Sequence, residues 1–121
     1  MSGDATGHTI LVVEDDTDVR ESIREVLEDA GYQVTTAANG AEGLNRLETK
    51  RPSLILLDLM MPVMSGPELL AILHQRGSDV PVVVVSAYAD QADASCGVAG
   101  VISKPVRLQK LLDTVREYCP V

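Results

Sequence analysis

Aromatic side chains are almost missing from this chain: it has no Phe, no Trp and three Tyr. Its core must therefore be aliphatic. Basic charge is also scarce, and the formal net charge is −8. A nucleic-acid face within the domain is not expected from that balance. The two cysteines, Cys96 and Cys119, have neither metal-motif spacing nor a disulfide framework, so they read as reduced structural thiols. No apolar run approaches the roughly 18 residues needed to span a bilayer, and the first ten residues hold no basic segment followed by an apolar one. A soluble cytoplasmic protein is expected. No Gly-rich phosphate loop follows the first apolar run and no Walker sequence is present, which argues against nucleotide binding. There is no repeat, linker or low-complexity stretch.

What remains is one domain of 121 residues, 45% hydrophobic, long enough for a real core. Residues 1–8 read as a flexible polar tail and 9–121 as the domain. Three continuous apolar runs stand out: Ile10-Leu11-Val12-Val13, Leu54-Ile55-Leu56-Leu57 and Val82-Val83-Val84-Val85. Runs of this kind suit strands buried on both faces. Tyr32 to Ala37 alternates loosely and suits a strand near a sheet edge, and Gly100-Val101-Ile102 a short last strand.

Between the strands lie helical signals. Val19, Ile23, Val26, Leu27 and Ala30 form a stripe, with Thr17 as N-cap and Gly31 just past the end. Asn39 with Glu42, and Ser65 with Glu68, have capping-box spacing. Pro67 suits a first turn, and Arg51-Pro52 stops the preceding helix. Leu108, Leu111, Leu112, Val115 and Cys119 mark a closing helix, ended by Pro120. The stretch from Asp90 to Gly97 lacks an aliphatic stripe and reads as a short helix. Strand then helix, five times over, with short connections, gives right-handed crossovers and a five-stranded doubly wound parallel sheet.

Each main strand run ends in a polar group: Glu14 and Asp15 after the first, Asp58 after the third, Ser86 after the fourth, Lys104 after the fifth. In a parallel sheet these ends share one side, where ligands bind in open α/β folds. Any one of them alone reads equally well as a cap, a turn former or half of a surface salt bridge. Together they bring three carboxylates, a hydroxyl and an amine to one edge. Crowded carboxylates repel, so a proton or a cation should join them. An all-oxygen set suits a hard cation such as Mg²⁺. Such a group could receive an anionic tetrahedral group on Asp58, as in phosphoryl transfer to a carboxylate.

Val12-Val13-Glu14-Asp15-Asp16, Asp58-Leu59-Met60-Met61-Pro62 with Ser65-Gly66, Ser86-Ala87 and Lys104-Pro105 together resemble a response-regulator receiver domain of two-component signalling. The resemblance runs from about Thr9 to Tyr118. It implies a flavodoxin-like (βα)5 fold with strand order 2-1-3-4-5. It implies Asp58 as phosphoacceptor, taking its phosphoryl group from a histidine kinase or a histidine phosphotransfer domain. It also implies Glu14, Asp15, Asp58 and the backbone carbonyl of Met60 around Mg²⁺, with Ser86 and Lys104 as the hydroxyl and amine that meet the phosphoryl group. Arg20 matches an arginine common in these domains and supports the register. The Lys104–Pro105 bond is usually cis in the family. Such a domain is a switch that assists its own phosphorylation and dephosphorylation rather than a turnover enzyme. An aspartyl-phosphate hydrolase would need a second Asp at the position of Met60.

Three departures from the family carry expectations. Val101 stands where an aromatic switch residue is usual, so it is either a plain aliphatic filler or a sign of altered output. The segment between Ser86 and Lys104 is short by roughly 3–4 residues, one helical turn. The fourth helix should then be short or irregular, and a monomer is expected. Met60 and Tyr88 hold the two positions that tune hydrolysis and cannot orient a water, so slow dephosphorylation is expected. His8, His74 and the hydroxyls of Tyr32 and Tyr118 are expected at the solvent. The competing function is a pseudo-receiver, an interaction module that works without phosphorylation. The kinase, the signal, the target and any output domain are not written in the sequence.

Overall fold

The apolar runs become the centre of a sheet. In the computed structural model, which describes residues 7–59, 64–87 and 98–119, β1 (Thr9–Val13), β3 (Leu54–Leu57) and β4 (Val82–Ser86) are buried along their whole length. Burial on both faces is what an unbroken Val/Ile/Leu run permits and an alternating strand does not. β2 (Gln33–Ala37) and β5 (Gly100–Ser103) are partly exposed and form the two edges. The order is β2-β1-β3-β4-β5 with every pair parallel, the flavodoxin-like arrangement expected.

Alternate strand residues serve opposite faces. Ile10, Val12, Leu56 and Val85 join Ile23 and Leu27 of α1 (Thr17–Asp29) and Leu111 and Val115 of α4 (Leu108–Tyr118) on one side. Leu11, Val13, Ile55 and Leu57 join Leu69, Leu70 and Leu73 of α3 (Gly66–Gln75), with Leu44 and Leu47 of α2 (Gly40–Thr49) beside them. The helix expected over 90–97 lies outside the described residues. Among those described, no helix is long and apolar enough to cross a membrane.

The helix starts follow their capping residues, with one correction. Ser65 and Glu68 make a full capping box at α3, with Pro67 in its first turn. Asn39 caps α2 by accepting from the Glu42 N–H at 2.9 Å, but the Glu42 carboxylate reaches back to the Ala38 N–H rather than to that of Asn39. At α1 the cap is Asp16, not Thr17: its carboxylate accepts from the Val19 N–H at 3.1 Å. A carboxylate is the stronger acceptor at the positive end of a helix, so helical geometry starts one residue earlier. Gly31 follows the α1 cap with φ of 98°, where a side chain would be strained.

Of the residues expected at the solvent, Tyr32 turns inward. Tyr32 is buried, and its hydroxyl donates to the Cys119 carbonyl at 2.7 Å. Cys119 is the C-cap of α4, with its own N–H on the Val115 carbonyl at 2.8 Å, so one phenol ties the residue before β2 to the end of that helix. The Tyr118 hydroxyl likewise donates to the Ala99 carbonyl at 2.8 Å. His8 is half-buried, with its Nδ1 3.1 Å from Ser53 Oγ, whereas His74 is exposed as expected. Tyr32→Phe keeps the packing but strands a buried carbonyl. It should cost about 1–2 kcal/mol, read from urea unfolding as a lower midpoint at unchanged m-value.

Candidate functional site

The site is built where strands stop. Glu14 follows β1 directly, and its N–H still bonds the Ala37 carbonyl at 3.0 Å, so the ladder with β2 holds it in place. Asp58 follows β3 in the same way, with its N–H on the Val13 carbonyl at 3.0 Å. Ser86 is the last residue of β4, and its carbonyl accepts from the Lys104 N–H at 3.0 Å. Three backbone hydrogen bonds thus set the heights of Glu14, Asp58, Ser86 and Lys104 at one sheet edge. Glu14, Asp58 and Ser86 are all buried, while Asp15 is exposed at the rim.

Oxygens of Glu14, Asp15 and Asp58 all lie within 4.8 Å of one another. Lys104 reaches into the same space. Its Nζ is 2.6 Å from Glu14 Oε1 and 3.4 Å from Asp58 Oδ2. Burial pushes the Glu14 carboxyl up to about 7, helped by the charge of Asp58 and opposed by the hydrogen bonds from Lys104 and from the Asp16 N–H. Burial alone would lower the Lys104 ammonium, but the hydrogen bond and charge of Glu14, with the charge of Asp58, outweigh it and raise it. One cation therefore serves two buried carboxylates and sits closer to Glu14 than to Asp58. The Lys104–Pro105 peptide bond is cis.

Every strand-end residue singled out from the sequence and described by the structure lies at this edge. Asp16 is turned to the task of capping α1. Met60 and Tyr88 lie outside the described residues. Two neighbours, quoted from the sequence for the family resemblance alone, have structural roles that the sequence did not assign. Arg20 donates from Nη1 to the Glu14 carbonyl at 2.9 Å, bracing the turn that carries Glu14 and Asp15. Gly66 packs so closely that a Cβ there would lie 2.5 Å from the Asp58 carbonyl oxygen. Val101, on β5, is 42% exposed, so the usual aromatic position is held by an aliphatic side chain open to solvent.

Chemically, the edge offers three carboxylates and one ammonium, an excess of negative charge that fits a hard divalent cation with oxygen ligands. A match to the family model of the response regulator receiver domain covers residues 10–116. A 14.6 kDa protein encoded in the sodA1 3′ region of Leptolyngbya boryana is 38% identical over 116 residues, covering 91% of this chain and 88% of that one. Response regulator MprA of Mycobacterium avium (strain 104) is 39% identical over 111 residues, 88% of this chain and 49% of its own. The chain thus spans about half the length of the MprA relatives. Among solved structures, a CheY-like receiver domain protein of Methanospirillum hungatei JF-1 superposes with a TM-score of 0.84 at 34% identity, covering 91% of each chain. Response regulator TrrA of Thermotoga maritima, in complex with Mg²⁺ and BeF, gives 0.83 at 29% identity, covering 92% of this chain and 98% of that one.

Proposed function

The chain belongs to the response-regulator receiver family, and from that premise we propose that Asp58 accepts a phosphoryl group from a phosphohistidine of a partner protein. The observation that carries this reading is the meeting of Glu14, Asp15, Asp58 and Lys104 at one sheet edge. A carboxylate oxygen of Asp58 forms the new P–O bond as the P–N bond of the donor breaks. The imidazole keeps that electron pair and takes a proton. The donor is a histidine kinase or a histidine phosphotransfer domain.

Glu14, Asp15 and Asp58, with the Met60 backbone carbonyl that family resemblance adds, form the donor set for Mg²⁺, which when bound neutralises charge on the transferred group. The match to TrrA, a protein solved with Mg²⁺ and BeF, supports that assignment. Lys104 already faces Asp58 and shifts toward a phosphoryl oxygen as charge builds there. Ser86, buried at the end of β4, supplies a hydroxyl donor. Arg20 keeps the Glu14–Asp15 turn in register while this happens. Loss of Lys104 from Asp58, together with the pull on Ser86, alters the surface presented to other proteins. Residues 9–121 act as the receiver, after a tail at 1–8, as a monomer in the cytoplasm.

Incubation with Mg²⁺ and a small acyl-phosphate donor should add one phosphoryl group, read by intact-protein mass. The gain should vanish in Asp58→Asn and in excess chelator. Retention of the gain in Asp58→Asn would move the acceptor elsewhere. No gain in the wild type would favour the phosphorylation-independent interaction module, toward which the exposed Val101 leans.

A further inference from the structure

The buried residues of α2 include Gly40 and Gly43. Glycine is a poor helix former, and neither residue has the positive φ that would call for it. What they allow is close approach. A Cβ on Gly43 would lie 3.2 Å from Val13 Cγ2 and 3.6 Å from Leu69 Cδ2, both side-chain atoms that can give. Gly40 is more tightly confined. A Cβ there would lie 2.7 Å from Met64 Cγ, 2.9 Å from Met64 Cβ and 2.8 Å from the Met64 carbonyl oxygen. Of these three atoms, Cγ alone can swing aside. The Gly40 N–H also donates to that carbonyl at 3.1 Å. The first residue of α2 therefore rests directly on the backbone at Met64.

That contact joins the two halves of the acidic site. Three residues before Gly40, the Ala37 carbonyl accepts from the Glu14 N–H at 3.0 Å. The junction over residues 37–40 is braced by Glu42, whose carboxylate accepts from the Ala38 N–H at 3.0 Å and whose N–H donates to Asn39 Oδ1 at 2.9 Å. On the other side, Met64 stands two residues before Gly66. The Gly66 N–H donates to the Leu59 carbonyl, and its backbone leaves no room for a Cβ against the Asp58 carbonyl oxygen. A path of backbone contacts thus runs from Glu14 through Ala37, Gly40, Met64 and Gly66 to Asp58. The direct bond from the Asp58 N–H to the Val13 carbonyl fixes height along the strands. It does not fix how far apart the chain spreads beyond the strand ends, where Asp15 and Leu59 lie.

We propose that Gly40 is a positioning residue for this site. Through Met64 it holds the backbone around Asp58 and Gly66 at a set distance from the turn that carries Glu14 and Asp15. That distance decides how closely the three carboxylates meet. Gly40 touches neither a metal nor a phosphoryl group. The effect on phosphoryl uptake rests on the reading of Asp58 as phosphoacceptor, whereas the effect on geometry does not.

The test compares Gly40→Ala with Gly43→Ala in the full chain, well below the melting temperature of either. In chelator, Gly40→Ala should move the amide resonances of Leu59 and Gly66, which Gly43→Ala leaves in place. Mg²⁺ alone, titrated by amide shifts, should bind Gly40→Ala about tenfold more weakly and Gly43→Ala as it binds the wild type. At saturating Mg²⁺, uptake from the acyl-phosphate donor should slow about tenfold in Gly40→Ala only. If Gly40→Ala does not fold, Gly40→Ala combined with Met64→Ala carries the same test, with Cγ removed and the carbonyl obstacle kept. Unmoved Leu59 and Gly66 amides overturn the proposal. So does a loss of Mg²⁺ affinity that follows the loss of melting temperature equally in both variants, as a purely structural role would give. A wild type that takes up neither Mg²⁺ nor phosphoryl group removes the phosphoacceptor reading, and the amide comparison in chelator still decides the role of Gly40.

Discussion

Lys104→Met should destabilise the protein in the presence of chelator, and by an amount that grows as pH rises. Lys104 bridges two carboxylates whose residues are 2% and 4% exposed, Glu14 and Asp58. Removing one partner of a buried ionic group costs about 3–5 kcal/mol when the remaining charges stay ionised. They need not stay ionised. The Glu14 carboxyl already lies at about 7 with the lysine present. Without Lys104 it loses the hydrogen bond and the charge that hold it down, and it rises further. The folded variant then keeps a proton that its unfolded chain gives up near 4.5. For an acid raised in the folded state, the associated stability is present in full below the unfolded value and is lost as pH climbs through the folded one. In the wild type this loss runs from pH 4.5 to about 7 and amounts to no more than about 3 kcal/mol, less whatever solvent at the open side of the site screens. In Lys104→Met the decline continues above that window, at about 1.4 kcal/mol for each further unit. Near pH 5.5 both proteins hold Glu14 protonated and differ by little more than packing and the Asp58 contact. Urea melts at pH 5.5, 7 and 8.5 measure this. A gap between variant and wild type that is the same at all three would show that Lys104 and Glu14 are not coupled.

That coupling marks the boundary of what could be read from the sequence. The strands were legible because Leu54–Leu57 and Val82–Val85 are apolar without interruption, and only a doubly covered parallel strand tolerates that. The site was legible for a related reason: Glu14, Asp58, Ser86 and Lys104 each stand at or next to the end of a strand, and parallel strands send those ends to one side. What escaped depended on partners far apart in the chain. Tyr32 reads as the start of an edge strand with its hydroxyl toward water, yet that hydroxyl finds the Cys119 carbonyl 87 residues away. No local pattern encodes such a pair. The N-cap of α1 was placed one residue late because Asp15, Asp16 and Thr17 are all plausible caps by type, and geometry decides among them. The preference of Lys104 for Glu14 over Asp58 is a matter of less than an ångström, set by where β5 ends relative to β1.

Gly66→Ala should be the most damaging single-methyl change near the site. Gly66 opens α3, and its N–H bonds the Leu59 carbonyl at 3.0 Å. A Cβ at this position would lie 2.5 Å from the Asp58 carbonyl oxygen and 2.7 Å from Leu59 Cα. Carbon and oxygen make favourable contact at about 3.3–3.6 Å, so the methyl arrives roughly 1 Å too close. Both obstacles are backbone, and neither can rotate aside as a long side chain would. The usual gain of Ala over Gly in a helix is at most about 1 kcal/mol. Overpacking of this kind costs about 1–3 kcal/mol or more, so a net loss of about 2 kcal/mol is expected. The atoms that must yield belong to Asp58 and its neighbour, so the phosphoacceptor moves with them. A misplacement of about 1 Å at a reacting group can cost about a hundredfold in rate. Phosphorylation by the acyl-phosphate donor should therefore slow by about ten- to a hundredfold. Gly77→Ala provides the contrast. Gly77 has φ of 67° with open space where its Cβ would go. Its backbone strain should cost about 1–2 kcal/mol, while the rate of phosphoryl uptake stays at the wild-type value. If Gly66→Ala and Gly77→Ala lose the same stability and both keep full rate, the close approach of α3 to Asp58 does not position the acceptor.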